Sequence, residues 1–130
     1  MYVKIFYFKN RNELHKKVNE LKNYFLKANS QFIYKDQDNR LLVFSDSYID
    51  GPEAYIFHKY NDMVEILKGM EFKTFAVRSK RKGSMNENRK IGDLLLKNLN
   101  DKKVNLENPD ITIYVDQVRD ITFFYIKFSR

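Results

Sequence analysis

Residues 73–90 read KTFAVRSKRKGSMNENRK, and this one stretch contains the signals of a strand, a basic loop and a helix start. Phe75 and Val77 alternate with small, polar or charged residues, and this period of two predicts a strand over Lys73–Lys80. Ser84 and Glu87 have the spacing of a capping box, so a helix is predicted to begin at Ser84. A strand that leads into a helix through a short loop is typical of a mixed α and β fold.

The loop between this strand and helix is strongly basic. A helix N-terminus offers unpaired backbone N–H groups and the positive end of the helix dipole, so a phosphate fits there. The simpler interpretation, a solvated strand end followed by an ordinary helix cap, stays open. The sequence predicts a phosphate-binding site formed by Arg78, Lys80, Arg81, Lys82, Ser84, Arg89 and Lys90.

The chain before this stretch begins with a predicted β-α-β-β unit. Tyr2–Phe8 is rich in β-branched and aromatic residues, as expected of a strand. Asn10–Ala28 then changes to helical spacing of its apolar residues. Gln31–Lys35 and Arg40–Ser45 are predicted as two short strands around a turn-forming tetrapeptide. This order of elements is most of a ferredoxin-like unit.

Two further helices and two further strands are predicted after residue 50. Pro52 is expected in the first turn of the second helix, whose apolar stripe continues to Leu67. Gly92 lies inside the third helix and is expected to allow close packing against a sheet. Two strands over Ile111–Asp116 and Ile121–Phe128 complete the pattern. The predicted fold class is α+β, in two small units.

The positive charge of the protein is uneven along the chain. The 130 residues carry a net charge of +7. Residues 1–72 hold 11 basic and 10 acidic side chains, whereas residues 73–130 hold 13 basic and 7 acidic ones. A cationic half beside a nearly neutral one is typical of a unit that binds a polyanion.

The sequence lacks the residue patterns of several catalytic classes. With no cysteine, it excludes disulfides, thiolate metal sites and cysteine nucleophiles. Its four glycines do not have the spacing of a nucleotide-binding loop, and His15 and His58 lack metal-ligand spacing. We therefore expect no catalytic centre, no metal and no cofactor. No segment resembles a signal peptide or a membrane span, so we expect a cytoplasmic protein without a membrane partner.

Three elements, spaced in order along the chain, carry a resemblance to a known family. They are the basic strand Phe75–Gly83, then Arg89 and Gly92 in the third helix, then Val104–Ile113. Together these elements resemble a THUMP domain, over roughly residues 53–130. The pattern is similar to the N-terminal half of 4-thiouridine synthetases, in which a small ferredoxin-like unit precedes the THUMP domain.

The resemblance implies a fold and a function. A ferredoxin-like β-α-β-β unit over residues 1–50 is expected to pack against a THUMP-like α/β domain over residues 51–130. The chain is then expected to be a tRNA-binding module, without activity of its own, that presents tRNA to a separate tRNA-modifying enzyme. Arg78, Lys80, Arg81 and Lys82 match the basic strand of the family, so the resemblance implies that the predicted phosphate site binds RNA.

Gly83 and Ser84 are adjacent, whereas the synthetases have several residues there, commonly with an aromatic one. The missing aromatic removes a contact that could stack on an unpaired base. Two other function classes stay open: a protein-interaction module that forms a homodimer or docks through its sheet edges, and an RNA-processing enzyme.

Overall fold

The computed structural model describes the backbone of residues 1–81 and 84–129, and their side chains except that of residue 84. The described chain contains three helices and two sheets, which confirms the α+β fold class. It divides into two compact units, one of residues 1–55 with 118–121, the other of residues 56–117 with 122 onwards. None of the described helices is both long and apolar enough to cross a membrane.

The first unit is an antiparallel three-stranded sheet with one helix. Its elements are β1 (Tyr2–Tyr7), α1 (Arg11–Lys27), β2 (Phe32–Gln37) and β3 (Arg40–Ser45). The strand order is β1-β3-β2, so the last strand lies between the other two. The predicted β-α-β-β order is confirmed, and its core is formed by Leu14, Val18, Leu21, Phe25, Leu41, Val43 and Ile49.

The second unit is a five-stranded sheet with two helices. Its strand order is β4-β8-β7-β5-β6, and β5 runs parallel to both β6 and β7. The apolar positions of β5 are buried against α3, which also packs on α2. The elements are β4 (Tyr55–Ile56), α2 (Tyr60–Lys68), β5 (Thr74–Ser79), α3 (Ser84–Asn98), β6 (Lys103–Val104), β7 (Ile111–Val118) and β8 (Ile121–Phe128).

The predicted start of the second helix is wrong. The helix begins at Tyr60, not near Pro52. The backbone carbonyl of Pro52 accepts a hydrogen bond from the N–H of Ile5 at 3.0 Å, and Tyr55–Ile56 forms strand β4. These pairings use backbone groups that a helix would need for itself, so tertiary contacts override the helical spacing of the side chains.

The helix start is fixed instead by an acidic side chain. The carboxylate of Asp62 accepts hydrogen bonds from the backbone N–H groups of His58 and Lys59, each at 3.1 Å. These two N–H groups also lower the pKa of Asp62 below its usual value.

The structure also contradicts the packing role predicted for Gly92. A Cβ atom added at Gly92 would meet nothing within 4 Å outside its own helix. Close approach to the sheet is therefore not the reason for a glycine here, and the space beside α3 is open.

Candidate nucleic-acid interface

Lys80 follows directly after β5 and lies over a pair of tyrosine rings. Its Nζ atom is 5.5 Å from the ring centre of Tyr114 and 5.4 Å from that of Tyr125. The two rings stack on each other, with centres 5.0 Å apart and planes at 13°. A cation over an aromatic face is stabilised by the quadrupole of the ring, and Lys80 stays exposed to solvent.

Lys127, from a different strand, lies over one ring of this tyrosine pair. Its Nζ atom is 5.7 Å from the ring centre of Tyr114, and its side chain is exposed. Lys127 is not among the site residues predicted from the sequence, so its placement here is new. The signal was the alternation along β8, which puts Lys127 on the same face as Tyr125. We call these four residues, Lys80, Tyr114, Tyr125 and Lys127, the lysine–tyrosine surface.

Arg81 is engaged within the protein. Its guanidinium forms an ion pair with the carboxylate of Glu87, and its Nη1 donates to the side-chain oxygen of Gln117 at 3.3 Å. The Glu87 carboxylate also accepts hydrogen bonds from the hydroxyls of Ser79 at 2.8 Å and Tyr60 at 2.9 Å. This polar cluster joins the end of β5 to the first turn of α3 and to the start of α2.

Helix α3 begins at Ser84, as the spacing of Ser84 and Glu87 predicts, and Glu87 lies in its first turn. Its carboxylate bonds Ser79, Tyr60 and Arg81, which come from three different parts of the second unit. The side chain of Ser84 lies outside the described residues. A carboxylate in the first turn of α3 still interacts favourably with the helix dipole.

Arg78 and Arg89 meet at a groove beside α3. The groove has a volume of about 310 Å³ and is bounded by α3, β5 and the segment around Val104 and Leu106. The Nη2 atom of Arg78 donates to the backbone carbonyl of Leu106 at 3.3 Å, and Arg89 is exposed on α3. We call this cavity the α3 groove.

The structure thus distributes the predicted site residues over three places. Lys80 belongs to the lysine–tyrosine surface, Arg81 to the polar cluster with Glu87, and Arg78 and Arg89 to the α3 groove. Lys90 is exposed on α3, and the predicted contact Lys82 falls outside the described residues.

Two other features bear on chemistry in this unit. Among residues 1–81 and 84–129, no three His, Asp or Glu side chains lie together as a metal site would require.

The turn at residues 108–110 is held by the carboxylate of Asp110, which accepts from the backbone N–H groups of Lys73 at 2.8 Å and Thr74 at 3.2 Å. Asp110 thus has a structural role that ties this turn to the start of β5.

The chain is similar to proteins that are named probable tRNA sulfurtransferases. A probable tRNA sulfurtransferase of Thermoanaerobacter pseudethanolicus is 40% identical over 68 residues, which are 48% of this chain and 18% of that protein. A probable tRNA sulfurtransferase of Saccharolobus islandicus is 35% identical over 89 residues, which are 65% of this chain and 22% of that protein. The chain spans about a fifth of the length of these curated relatives.

Two solved structures share the fold. A Pyrococcus horikoshii protein, PH1313, superposes with a TM-score of 0.71 at 18% identity, covering 98% of this chain and 54% of that one. A 4-thiouridine synthetase, solved in complex with RNA and with bound ATP, superposes with a TM-score of 0.65 at 20% identity. That superposition covers 98% of this chain and 41% of the synthetase.

These comparisons contradict the prediction that the protein is not an enzyme. The curated relatives are named tRNA sulfurtransferases, and one structural neighbour is a 4-thiouridine synthetase, so the relatives are enzymes. The prediction failed because it was argued from missing catalytic patterns within a chain that corresponds to only part of those relatives.

The suggested family is confirmed by a direct match. The model of the THUMP domain matches residues 56–127, which are more than half of the chain and include the lysine–tyrosine surface, the polar cluster of Arg81 and Glu87, and the α3 groove. The three elements that carry the resemblance, which are the basic strand, the third helix and Val104–Ile113, lie inside this range. This chain belongs to the THUMP domain family.

Proposed function

We propose that this chain binds tRNA and holds it for a sulfur-transfer reaction on the tRNA. The relatives named tRNA sulfurtransferases support the substrate and the reaction class. The observation that carries the proposal is the lysine–tyrosine surface, where Lys80 and Lys127 lie over stacked tyrosine rings and remain exposed. Exposed cations held in a fixed place suit the phosphates of an RNA strand. Tyr125 is only 3% exposed, so the rings position the lysines and do not themselves offer a stacking platform for bases.

The residues that we propose to contact RNA fall into two groups. The first group is exposed cations whose surroundings the structure describes, namely Lys80, Lys127 and the two arginines of the α3 groove. Lys90, Lys82 and Ser84 stay in the proposal on the strength of the sequence pattern. Arg81 is assigned a positioning role, because its guanidinium already binds Glu87 and Gln117.

The tRNA held here must reach a catalytic group, and we propose that a tRNA-modifying catalytic domain or enzyme acts on it. Homodimerisation, which would put two such surfaces into one assembly, is a part of the proposal that rests only on the sequence. A cytoplasmic location stays a prediction of the same kind.

The first test is direct binding to tRNA. Fluorescence anisotropy should give tighter binding to a tRNA transcript than to an unstructured RNA of the same length, because the surface is expected to recognise shape as well as charge. Equal affinity for both RNAs would leave only a generic basic surface and contradict the proposal. A second measurement concerns the reaction: cells that lack the protein should contain less thiolated nucleotide in their tRNA, and unchanged thiolation would contradict the proposed reaction class.

A further inference from the structure

Strand β2 is an edge strand of the sheet in the first unit. The strand order β1-β3-β2 leaves the outer side of β2 without a neighbouring strand. The outer side of β1 is covered instead, since the N–H of Ile5 donates to the carbonyl of Pro52 at 3.0 Å. The carbonyl of Val3 also accepts from the N–H of Ala54, at 2.9 Å. A strand edge with unpaired backbone groups is a template for pairing with another chain, so β2 is the edge to consider.

The hydrogen bonds around β2 show which of its backbone groups face away from β3. Neighbouring residues of an antiparallel strand direct their backbone groups to opposite sides. The carbonyl of Gln31 accepts from the first N–H after β3 at 3.2 Å, so Gln31 is directed towards β3. By alternation, the backbone groups of Phe32, Tyr34 and Asp36 are directed outwards.

One of these three positions is occupied and two are free. The carbonyl of Asp36 accepts a hydrogen bond from the Nε of Arg119 at 2.8 Å, and this arginine belongs to the first unit. In the described part of the chain, no hydrogen bond uses the outward N–H and C=O groups of Phe32 and Tyr34. The free edge of β2 therefore consists of the backbone groups of two residues and is closed at Asp36.

The side chains along this free edge are apolar or aromatic. Ile33 is 68% exposed and Tyr34 is 39% exposed. The rings of Phe32 and Tyr34 stack with centres 6.2 Å apart, and Phe32 stacks on Phe25 of α1 at 4.8 Å. Alternation puts the two rings on the face of the sheet that carries α1, and Ile33 on the opposite face. Both faces of the edge thus offer apolar surface to a partner strand.

We propose that two copies of this chain associate through their β2 strands, which pair antiparallel about a two-fold axis at Ile33. In this register, Phe32 lies opposite Tyr34 of the partner subunit, and the two residues exchange both backbone hydrogen bonds. All the free backbone groups of both edges are then paired. Pairing centred on Tyr34 would instead need the carbonyl of Asp36, which Arg119 occupies.

The free edge is self-complementary, as a two-fold interface requires. Aromatic side chains lie opposite each other on one face, and the two copies of Ile33 lie opposite each other on the other face, where such cross-strand pairs stabilise a sheet. The edge is short, so a weak dimer is expected, with a dissociation constant of about 10 µM to 1 mM. The interface supplies a surface for the proposed homodimer and does not depend on the binding of tRNA.

A single introduced cysteine tests the register, because the chain has no cysteine of its own. In Ile33→Cys, the two copies form a non-hydrogen-bonded pair with Cα atoms about 4.5 Å apart, which a disulfide can bridge. Oxidation with diamide should therefore convert most of this variant into a covalent dimer. In the control Lys35→Cys, which is exposed on the same face, the two Cα atoms would lie at least about 13 Å apart, so the protein should stay uncrosslinked.

Charges placed on the two-fold axis give a second measurement, by sedimentation velocity. Ile33→Lys and Ile33→Asp each put like charges opposite each other, so each alone should raise the dissociation constant about tenfold or more. An equimolar mixture of the two variants should recover the dimer, which unfolded variants could not do. Leu26→Lys, which adds the same charge at a position 82% exposed on α1, should dimerise like the wild type.

Three results would overturn the β2 interface. They are a wild-type protein that stays monomeric up to about 1 mM, an equal yield of crosslinked dimer from both cysteine variants, and a mixture of the charged variants that fails to recover the dimer. A protein that dimerises in this way but does not bind tRNA would instead refute the proposed function and leave the interface in place.

Discussion

Single residues in the basic strand and loop have different roles, although the sequence shows them as one run of cations. Lys80 lies over the tyrosine pair, Arg78 donates to the backbone at Leu106, and Arg81 is tied to Glu87. The roles differ because each side chain reaches a different distant segment. Substitutions should therefore separate residues that bind RNA from residues that hold the site in shape.

The first prediction at this scale concerns the lysine–tyrosine surface. The double substitution Lys80→Ala and Lys127→Ala should weaken tRNA binding and reduce the slope of log affinity against log salt by roughly 0.7 for each lysine, because each phosphate contact releases counterions. The matched control is Lys16→Ala with Lys22→Ala, two exposed lysines on α1. Equal losses in both double variants would mean that only the overall charge matters.

The second prediction concerns Arg81 and Glu87, whose side chains are 24% and 13% exposed. Arg81→Ala should lower the free energy of unfolding by about 1–3 kcal/mol, because it leaves the mostly buried Glu87 carboxylate without its cation. Glu87→Ala should have a similar effect, and the double variant should cost less than the two single losses together. Chemical denaturation checks this. A variant Arg81→Ala with unchanged stability but a reduced salt slope would show that Arg81 contacts phosphates.

At the scale of elements, the turn before β4 depends on a glycine. Gly51 has φ +145°, and a Cβ atom there would lie 2.7 Å from the ring of Phe6. Gly51→Ala should therefore destabilise the protein by roughly 1–3 kcal/mol through backbone strain and a steric clash. Gly69→Ala at the end of α2 is the control, since its Cβ would meet only a backbone oxygen at 3.8 Å. Similar denaturation midpoints for the two variants would contradict this account.

The start of α2 gives a prediction about acid stability. Backbone N–H groups of Lys59 and His58 lower the pKa of Asp62 in the folded state. A carboxyl group with a lowered folded pKa stabilises the protein above its unfolded pKa of about 4, and this stabilisation is lost as the pH falls through the folded pKa. Wild-type stability should thus decline below about pH 4 more steeply than that of Asp62→Asn. Denaturant midpoints between pH 6 and pH 2.5 measure this, and parallel curves would refute it.

At the scale of the whole molecule, the charge is concentrated in residues 73–130, which hold 13 basic and 7 acidic side chains. The cations that we propose to contact RNA number six, so at roughly 0.7 for each contact the slope of log affinity against log salt should be near −4. Affinity for tRNA measured between 50 and 200 mM salt tests this. A nearly flat dependence would show that the exposed cations do not contact phosphates.

The sequence by itself determined the order of most elements, because a period of two or of 3.6 is a local property that side chains display wherever the chain goes. It thereby predicted the β-α-β-β unit, strand β5, helix α3 and the strands β7 and β8, and its motifs identified the THUMP domain. The concentration of charge in the second half was equally visible in the sequence.

Only the tertiary structure decided where α2 begins and what each basic side chain does. Pro52 lies outside a helix because its carbonyl pairs with Ile5, which is 47 positions away in the sequence. Lys80 and Lys127 meet at Tyr114 because β5, β7 and β8 lie side by side in the sheet. Arg78 and Arg89 line the same groove because α3 packs on β5, and local patterns encode neither arrangement. Hydrogen bonds, ion pairs and cavities depend on groups brought together by long-range packing, so the binding surfaces of this protein follow from its fold and not from its basic run alone.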